Sequence, residues 1–180
     1  MHRLFVALRP PPSVRRLLLE AMGGVPGARW QDDDQLHLTL RFVGEVDRRQ
    51  AEDVAAVLAG IAAGPLEARI VGVGTFDRRG RADTLWARVA PPEPLAALHR
   101  KVDQALLRAG IAPDERRYLP HVTLARMARA GHDAVALDRW VADHAALASP
   151  AFPLAHLYLY ESHLGGEGAT YEAVARWPLG

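Results

Sequence analysis

The stretch Leu36-His37-Leu38-Thr39-Leu40-Arg41-Phe42 alternates large apolar residues with polar ones. Alternation with a period of two indicates a strand with one buried face. The pattern predicts an apolar face that carries Leu36, Leu38, Leu40 and Phe42, and a polar face that carries His37, Thr39 and Arg41. The polar face would therefore present an imidazole beside a hydroxyl.

The same pattern returns in the second half of the chain, in Pro120-His121-Val122-Thr123-Leu124-Ala125-Arg126. Each motif has a threonine two residues after a histidine, between apolar residues. The elements before each motif are also repeated. An apolar strand, prolines, a helical stripe and a glycine follow one another in both halves, starting at Phe5 in the first and at Trp86 in the second. The repeat predicts two related lobes that each supply one His and one Thr to a shared groove.

The rest of the chain alternates strands with amphipathic helices. Strand patterns cover residues 4–8, 66–76, 84–89, 154–160 and 171–177, and helical stripes cover 14–22, 51–61, 95–107 and 137–147. Asp47 is a candidate N-cap for the second helix. We expect an α+β fold, residues 1–180, that forms a single domain of two pseudo-symmetric lobes. Each lobe would be a mostly antiparallel sheet with helices on the outside of a central groove.

Composition limits the classes of function. The 180 residues include no cysteine, which excludes disulfides and thiolate ligands and is compatible with the cytoplasm. The N-terminal apolar run is too short for a signal peptide, and no run approaches the length of a membrane span. A net charge of +1 provides no global field to attract nucleic acid. We expect a cytoplasmic protein, without membrane association, that binds any polyanion locally.

Two histidines and two threonines across a groove suit the opening of a phosphodiester or a cyclic phosphate. In-line displacement needs a base for the attacking water and an acid for the departing oxygen, and imidazole can serve in either role near neutral pH. The threonine hydroxyls, about 6.6 Å further along each strand, would donate to the non-bridging oxygens. This chemistry requires neither a metal ion nor a cofactor.

Other interpretations of the polar residues remain open. Either histidine could be structural, and a zinc site would need further ligands such as His99, His156 or His163. The consecutive acids at 32–34 point in different directions, which favours a solvated turn over a cation site. The arginine-rich stretch 78–81 is interpreted as a hairpin turn, with a phosphate-contacting loop as the alternative.

The paired motifs His37-Leu38-Thr39-Leu40 and His121-Val122-Thr123-Leu124 resemble those of the two-histidine (2H) phosphoesterases. Together with Phe5-Val6-Ala7-Leu8, Trp30, Gly44, Leu85-Trp86-Ala87 and Arg126, they are similar to the bacterial and archaeal RNA 2′,3′-cyclic phosphodiesterases, long called 2′-5′ RNA ligases. The resemblance implies a bilobal α+β fold and metal-independent hydrolysis of a terminal 2′,3′-cyclic phosphate to a 2′-phosphate. In some members it also implies reversible 2′-5′ ligation.

The resemblance implies catalytic roles for His37 and His121 and substrate contacts for Thr39 and Thr123. Arg126 matches an arginine that commonly follows the second motif in this family. Alternation, however, places it with the apolar face, so the strand must end or bulge at Ala125, or the side chain must reach around the strand end.

By alternation Arg41 lies on the same strand face as His37 and Thr39, toward the groove, so it is a second candidate phosphate ligand. For each of the two arginines, the alternative is a surface ion pair. Phe42, Trp30 and Tyr118 are candidates for stacking on the terminal base, although Phe42 has the parity of the core. The sequence does not assign the base and the acid between the two histidines.

We expect a monomer whose partners are RNA or oligonucleotide ends with a 2′,3′-cyclic phosphate. Small cyclic nucleotides or ADP-ribose cyclic phosphate are alternative substrates. An RNA-end or nucleotide-binding module without turnover is the alternative function.

Overall fold

A computed structural model describes residues 1–166 and 168–180. Its helices are α1 (Pro12–Ala21), α2 (Arg48–Leu58), α3 (Pro92–Arg108) and α4 (Ala134–Asp143), with a 3-10 turn at Asp33–Gln35. Its strands are β1 (His2–Leu8), β2 (Ala28–Trp30), β3 (Leu38–Val46), β4 (Leu66–Arg78), β5 (Arg81–Ala90), β6 (His121–Met127), β7 (Phe152–Leu154), β8 (His156–Gly165) and β9 (Gly168–Pro178). None of the helices in the described residues is long and apolar enough to cross a membrane.

These strands form one nine-stranded sheet whose two halves meet at a narrow junction. The order is β7-β4-β5-β6-β3-β1-β8-β9, with β2 also paired to β6, and every pairing between described strands is antiparallel. At the junction Leu38 of β3 pairs with Val122 of β6. Each half carries one His-x-Thr motif, so the junction brings the two motifs side by side. The predicted α+β fold of mostly antiparallel strands is confirmed.

The two faces of the sheet have different surroundings. Leu8 and Leu38 on one face pack with Leu18 of α1 and Leu98 of α3 in the main core, and each is almost fully buried. Burying one leucine side chain is worth about 2–3 kcal/mol, so this face holds the helices in place. The other face, which we call the groove face, carries a small separate cluster of Phe5, Ala7 and Tyr160.

Most predicted elements are present, with different ends. Asp47 does cap α2, since its side chain accepts a hydrogen bond from the backbone N–H of Gln50. Helix α2 ends at Leu58, two residues before Gly60. Helix α4 ends at Asp143, before the end of its apolar stripe. The stretch 78–81 is a two-residue hairpin turn, in which Arg79 and Gly80 both have positive φ. The short strands β2 and β7 were not predicted.

A register shift occurs at the same position in both motifs. In the β1–β3 ladder Val6 pairs with Arg41 and Ala7 with Thr39, so Leu40 is passed over. In the β5–β6 ladder Leu85 pairs with Ala125 and Trp86 with Thr123, so Leu124 is passed over. An extra residue of this kind reverses the alternation for all residues beyond it.

Candidate active site

His37 lies directly before β3 and is held by hydrogen bonds on both ring nitrogens. Its Nδ1 is 2.7 Å from the carbonyl oxygen of Gln35, and because a carbonyl only accepts, Nδ1 carries a proton. Its Nε2 is 3.0 Å from Thr39 Oγ1, where the neutral ring accepts from the hydroxyl. The rings of Phe5 and Tyr171 pack against the imidazole, with centroids at 4.8 and 5.2 Å.

The acidic turn before β3 fixes the carbonyl that orients His37. Asp32 accepts a hydrogen bond from the backbone N–H of Gln35, and the Gln35 side chain accepts one from the N–H of Asp32. This reciprocal capping box holds the short 3-10 turn closed. Asp33 is paired with Arg15 at 2.8 Å. The acids at 32–34 therefore act in the described structure as turn and ion-pair residues.

His121 is the first residue of β6, and its ring is held through Nδ1 in the same way. Its Nδ1 is 2.7 Å from the carbonyl oxygen of Leu119, which fixes the same tautomer as in His37. Phe76 meets the imidazole edge to face at 5.0 Å, and the Trp86 ring lies at 6.1 Å. In both rings Nδ1 is occupied by a backbone carbonyl, which leaves Nε2 as the nitrogen that can exchange a proton with a substrate.

Burial favours the neutral form of both imidazoles. Desolvation is the main cause that lowers the pKa of His37 to about 4, and it also lowers the pKa of His121. The backbone hydrogen bonds on Nδ1 oppose this shift, whereas the positive charge of Arg126 adds to it at both histidines. A bound phosphate anion would raise both pKa values, because an opposite charge favours the protonated ring.

Arg126 lies on the groove face, on the side of His121 and Thr123, because the register shift at Leu124 reverses its parity. The bulge that the sequence required is therefore one residue earlier than Ala125. The side chain is exposed, and its Nη1 lies 3.4 Å from Thr84 Oγ1. Its charge reaches the other half of the sheet, where it partly offsets the effect of burial on the pKa of Tyr171.

The prediction that Arg41 faces the groove was wrong. The side chain is only 6% exposed and lies on the helix side of the sheet, because the shift at Leu40 reverses its parity. Its Nε donates to Asp103 of α3 at 2.8 Å, and its terminal nitrogens donate to the backbone carbonyls of Phe42 and Ala112. Arg41 thus connects β3 of one half to α3 of the other.

The same shift corrects the placement of Phe42, which was predicted to face the core. Its side chain is 49% exposed, and its ring lies 6.0 Å from that of Phe5 on the groove face. The other two stacking candidates are engaged elsewhere: Trp30 packs on Trp140 of α4 at 5.6 Å, and Tyr118 stacks on His99 at 4.3 Å. Of the three, Phe42 is the one open to a ligand in the groove.

Several residues of the site were missed by the sequence reasoning. The aromatic rings around His37 and His121 include Tyr160, Tyr171 and Phe76, and Arg29 of β2 lies opposite Arg126. The alternation of Tyr158 and Tyr160 with leucines could have placed the tyrosines on one face; nothing local marks Arg29. Among the described residues no three His, Asp or Glu side chains are grouped as a metal site would require.

The sequence is similar to those of several known proteins. A family model described as the 2′-5′ RNA ligase superfamily matches residues 10–166. A curated RNA 2′,3′-cyclic phosphodiesterase of Thermus thermophilus is 35% identical over 141 residues, which cover 69% of this chain and 68% of that protein. Another, from Geobacillus stearothermophilus, is 29% identical over 93% of this chain, but the match spans only about half of its length, 52%.

A solved structure has the same fold. The crystal structure of TT0787 from Thermus thermophilus superposes with a TM-score of 0.79 at 26% sequence identity. The match covers 98% of this chain and 97% of that one. The arrangement of the whole chain is therefore the one found in that protein.

Proposed function

The chain belongs to the 2′-5′ RNA ligase superfamily, and from this membership and the geometry of the site we propose that it is an RNA 2′,3′-cyclic phosphodiesterase. It would hydrolyse the cyclic phosphate at an RNA or nucleotide end to a 2′-phosphomonoester, without a metal ion. The observation that carries the proposal is the pair of imidazoles, His37 and His121, held in the same tautomer and both influenced by Arg126.

In the proposed mechanism one imidazole acts as base and the other as acid. The Nε2 of the first takes a proton from water as the water oxygen bonds to phosphorus. The bond from phosphorus to the 3′ oxygen breaks, and the second imidazole, protonated through contact with the anionic substrate, gives its proton to that oxygen. One water is consumed, and the products are a 2′-phosphate and a free 3′ hydroxyl.

Three further side chains would stabilise the charge that develops on the phosphate. Thr123 would donate a hydrogen bond to a non-bridging oxygen, and Thr39 would do the same once its hydroxyl turns from His37 Nε2 to the phosphate. The Arg126 guanidinium would neutralise part of the negative charge. Phe42, exposed on the same face, would stack on the terminal base. A 5′ hydroxyl in place of water would give a 2′-5′ linkage, which is the proposed reversible ligation.

The proposal extends to the state of the protein. We propose that the chain acts as a monomer, as one domain of two repeated lobes over residues 1–180, in the cytoplasm. Light scattering of the purified protein tests the first statement, and fractionation of the producing cells tests the last.

The deciding experiment is to incubate EDTA-treated protein with a nucleoside 2′,3′-cyclic phosphate. Release of a phosphomonoester supports the enzyme, and phosphorus NMR distinguishes the expected 2′-phosphate from a 3′-phosphate. Saturable binding without product would mean that the protein is a binding module and not an enzyme. If EDTA abolishes the activity and one added metal restores it, the mechanism is metal-assisted hydrolysis instead.

A further inference from the structure

Strand β2 places Arg29 directly opposite Arg126 of β6. Directly opposed residues of an antiparallel pair lie on the same face of the sheet, so Arg29 shares the groove face with Arg126. The neighbouring Trp30 confirms this orientation, since it packs on Trp140 of α4 on the opposite side. Both arginines are exposed.

Two like charges in this position repel each other. Directly opposed cations destabilise an antiparallel pair, and in the described residues neither guanidinium forms an ion pair with a carboxylate that would offset the repulsion. Within residues 1–166 and 168–180, the side chain of Arg126 has one side-chain partner, the Thr84 hydroxyl. Such a pair is complementary to an anion, and arginine binds phosphate with a fork of two parallel hydrogen bonds.

The pair lies at a defined distance from the reacting centre. The junction between β3 and β6 is at Val122, next to His121, whereas β2 pairs with the other end of β6. With Leu124 passed over, Arg126 and Arg29 stand about 13 Å along the strand from His121. Arg126 is near enough to act on both imidazoles, and Arg29 lies beside it on the next strand, at the edge of β6 that β3 also joins.

We propose that Arg29 binds the phosphodiester on the 5′ side of the terminal nucleotide. The site would then favour an oligonucleotide end over a mononucleotide, because only the oligonucleotide has this second phosphate. The inference rests on the proposed function, whose reacting phosphate lies between the two histidines. Arg126 would serve the reacting phosphate and Arg29 the next one.

The test compares two substrates, a nucleoside 2′,3′-cyclic phosphate and a dinucleotide with the same terminal cyclic phosphate. In Arg29→Gln we expect the ratio of kcat/KM, dinucleotide over mononucleotide, to fall about tenfold, with Arg29→Lys in between. The salt dependence of the dinucleotide reaction should flatten by about 0.7 in log–log slope. Arg139→Gln is the matched control, since it removes an exposed charge from α4 and should leave the ratio unchanged.

Other outcomes would overturn the inference. If Arg29→Gln leaves the ratio unchanged, or lowers both activities equally, Arg29 does not read a second phosphate. If the wild-type protein hydrolyses neither substrate, the proposed function fails, and Arg29 is then judged by affinity alone. A mononucleotide and a dinucleotide that end in a 2′-phosphate serve as probes, and Arg29→Gln must weaken binding of the dinucleotide selectively.

Discussion

His37 and His121 each carry a proton on Nδ1 because a carbonyl two residues earlier lies 2.7 Å away. In the proposed mechanism both therefore present Nε2 to the substrate and act in one chemical step. We expect His37→Ala and His121→Ala each to lower kcat by on the order of 10²–10⁴, and the double variant to be little worse than the poorer single one. Thr39→Ala and Thr123→Ala should cost less, about 10²-fold. Near-normal turnover in His121→Ala would contradict the assignment.

Burial of His37 also has a consequence for stability. Its pKa is lowered from 6.5 to about 4 in the folded protein, so between these values the unfolded chain binds the proton more readily. This difference lowers the free energy of unfolding. The loss is absent above pH 6.5, grows as the pH falls, and reaches at most about 3 kcal/mol near pH 4. Urea unfolding of wild type and His37→Asn across this range should show that the stability advantage of wild type, measured as the free energy of unfolding, becomes smaller as the pH falls. A constant difference would mean that His37 titrates normally.

At the scale of the strand, Arg41 links β3 to α3 through a nearly buried ion pair with Asp103. Removing one partner leaves the other charge and two carbonyls unsatisfied, so Arg41→Leu should lower the free energy of unfolding by about 2–4 kcal/mol. Arg41→Leu/Asp103→Leu should recover part of this loss in urea titrations. If Arg41 instead contacted substrate, the single variant would keep its stability and lose kcat/KM.

The alternation rule placed the strand faces correctly as far as Leu40 and Leu124, which are buried in the core, and failed beyond them. It assumes that each residue has a partner across the ladder, whereas Leu40 and Leu124 are passed over. Such a shift depends on the neighbouring strand and has no local signature, so the sequence could not place Arg41 and Phe42. Strand β2 is three residues long, too short for a periodic pattern, and the position of Arg29 depends on its pairing with β6.

At the scale of the whole molecule, the two halves of the sheet that carry the motifs differ on the groove face. Phe42 and Arg126 occupy the same position in their motifs, each five residues after the histidine and just past the shift. At this position the first half of the sheet therefore carries an aromatic ring on the groove face, and the second half carries a cation. In the proposed complex a nucleotide would lie in one direction, with its base on the Phe42 side and its phosphates on the Arg126 side. That direction determines which ring oxygen departs.

In the proposed mechanism the acid–base pair as a whole sets the dependence of rate on pH. One imidazole must be neutral and the other protonated, so the rate should be bell-shaped, with limbs set by macroscopic constants of the coupled pair. Because burial lowers both pKa values in the free protein, kcat/KM should be highest below pH 6.5 and fall as the pH rises. The bound anion raises both pKa values, so the optimum of kcat should lie at higher pH than that of kcat/KM. Steady-state rates from about pH 4 to 9 test both statements, and a flat profile across the histidine range would rule out the pair.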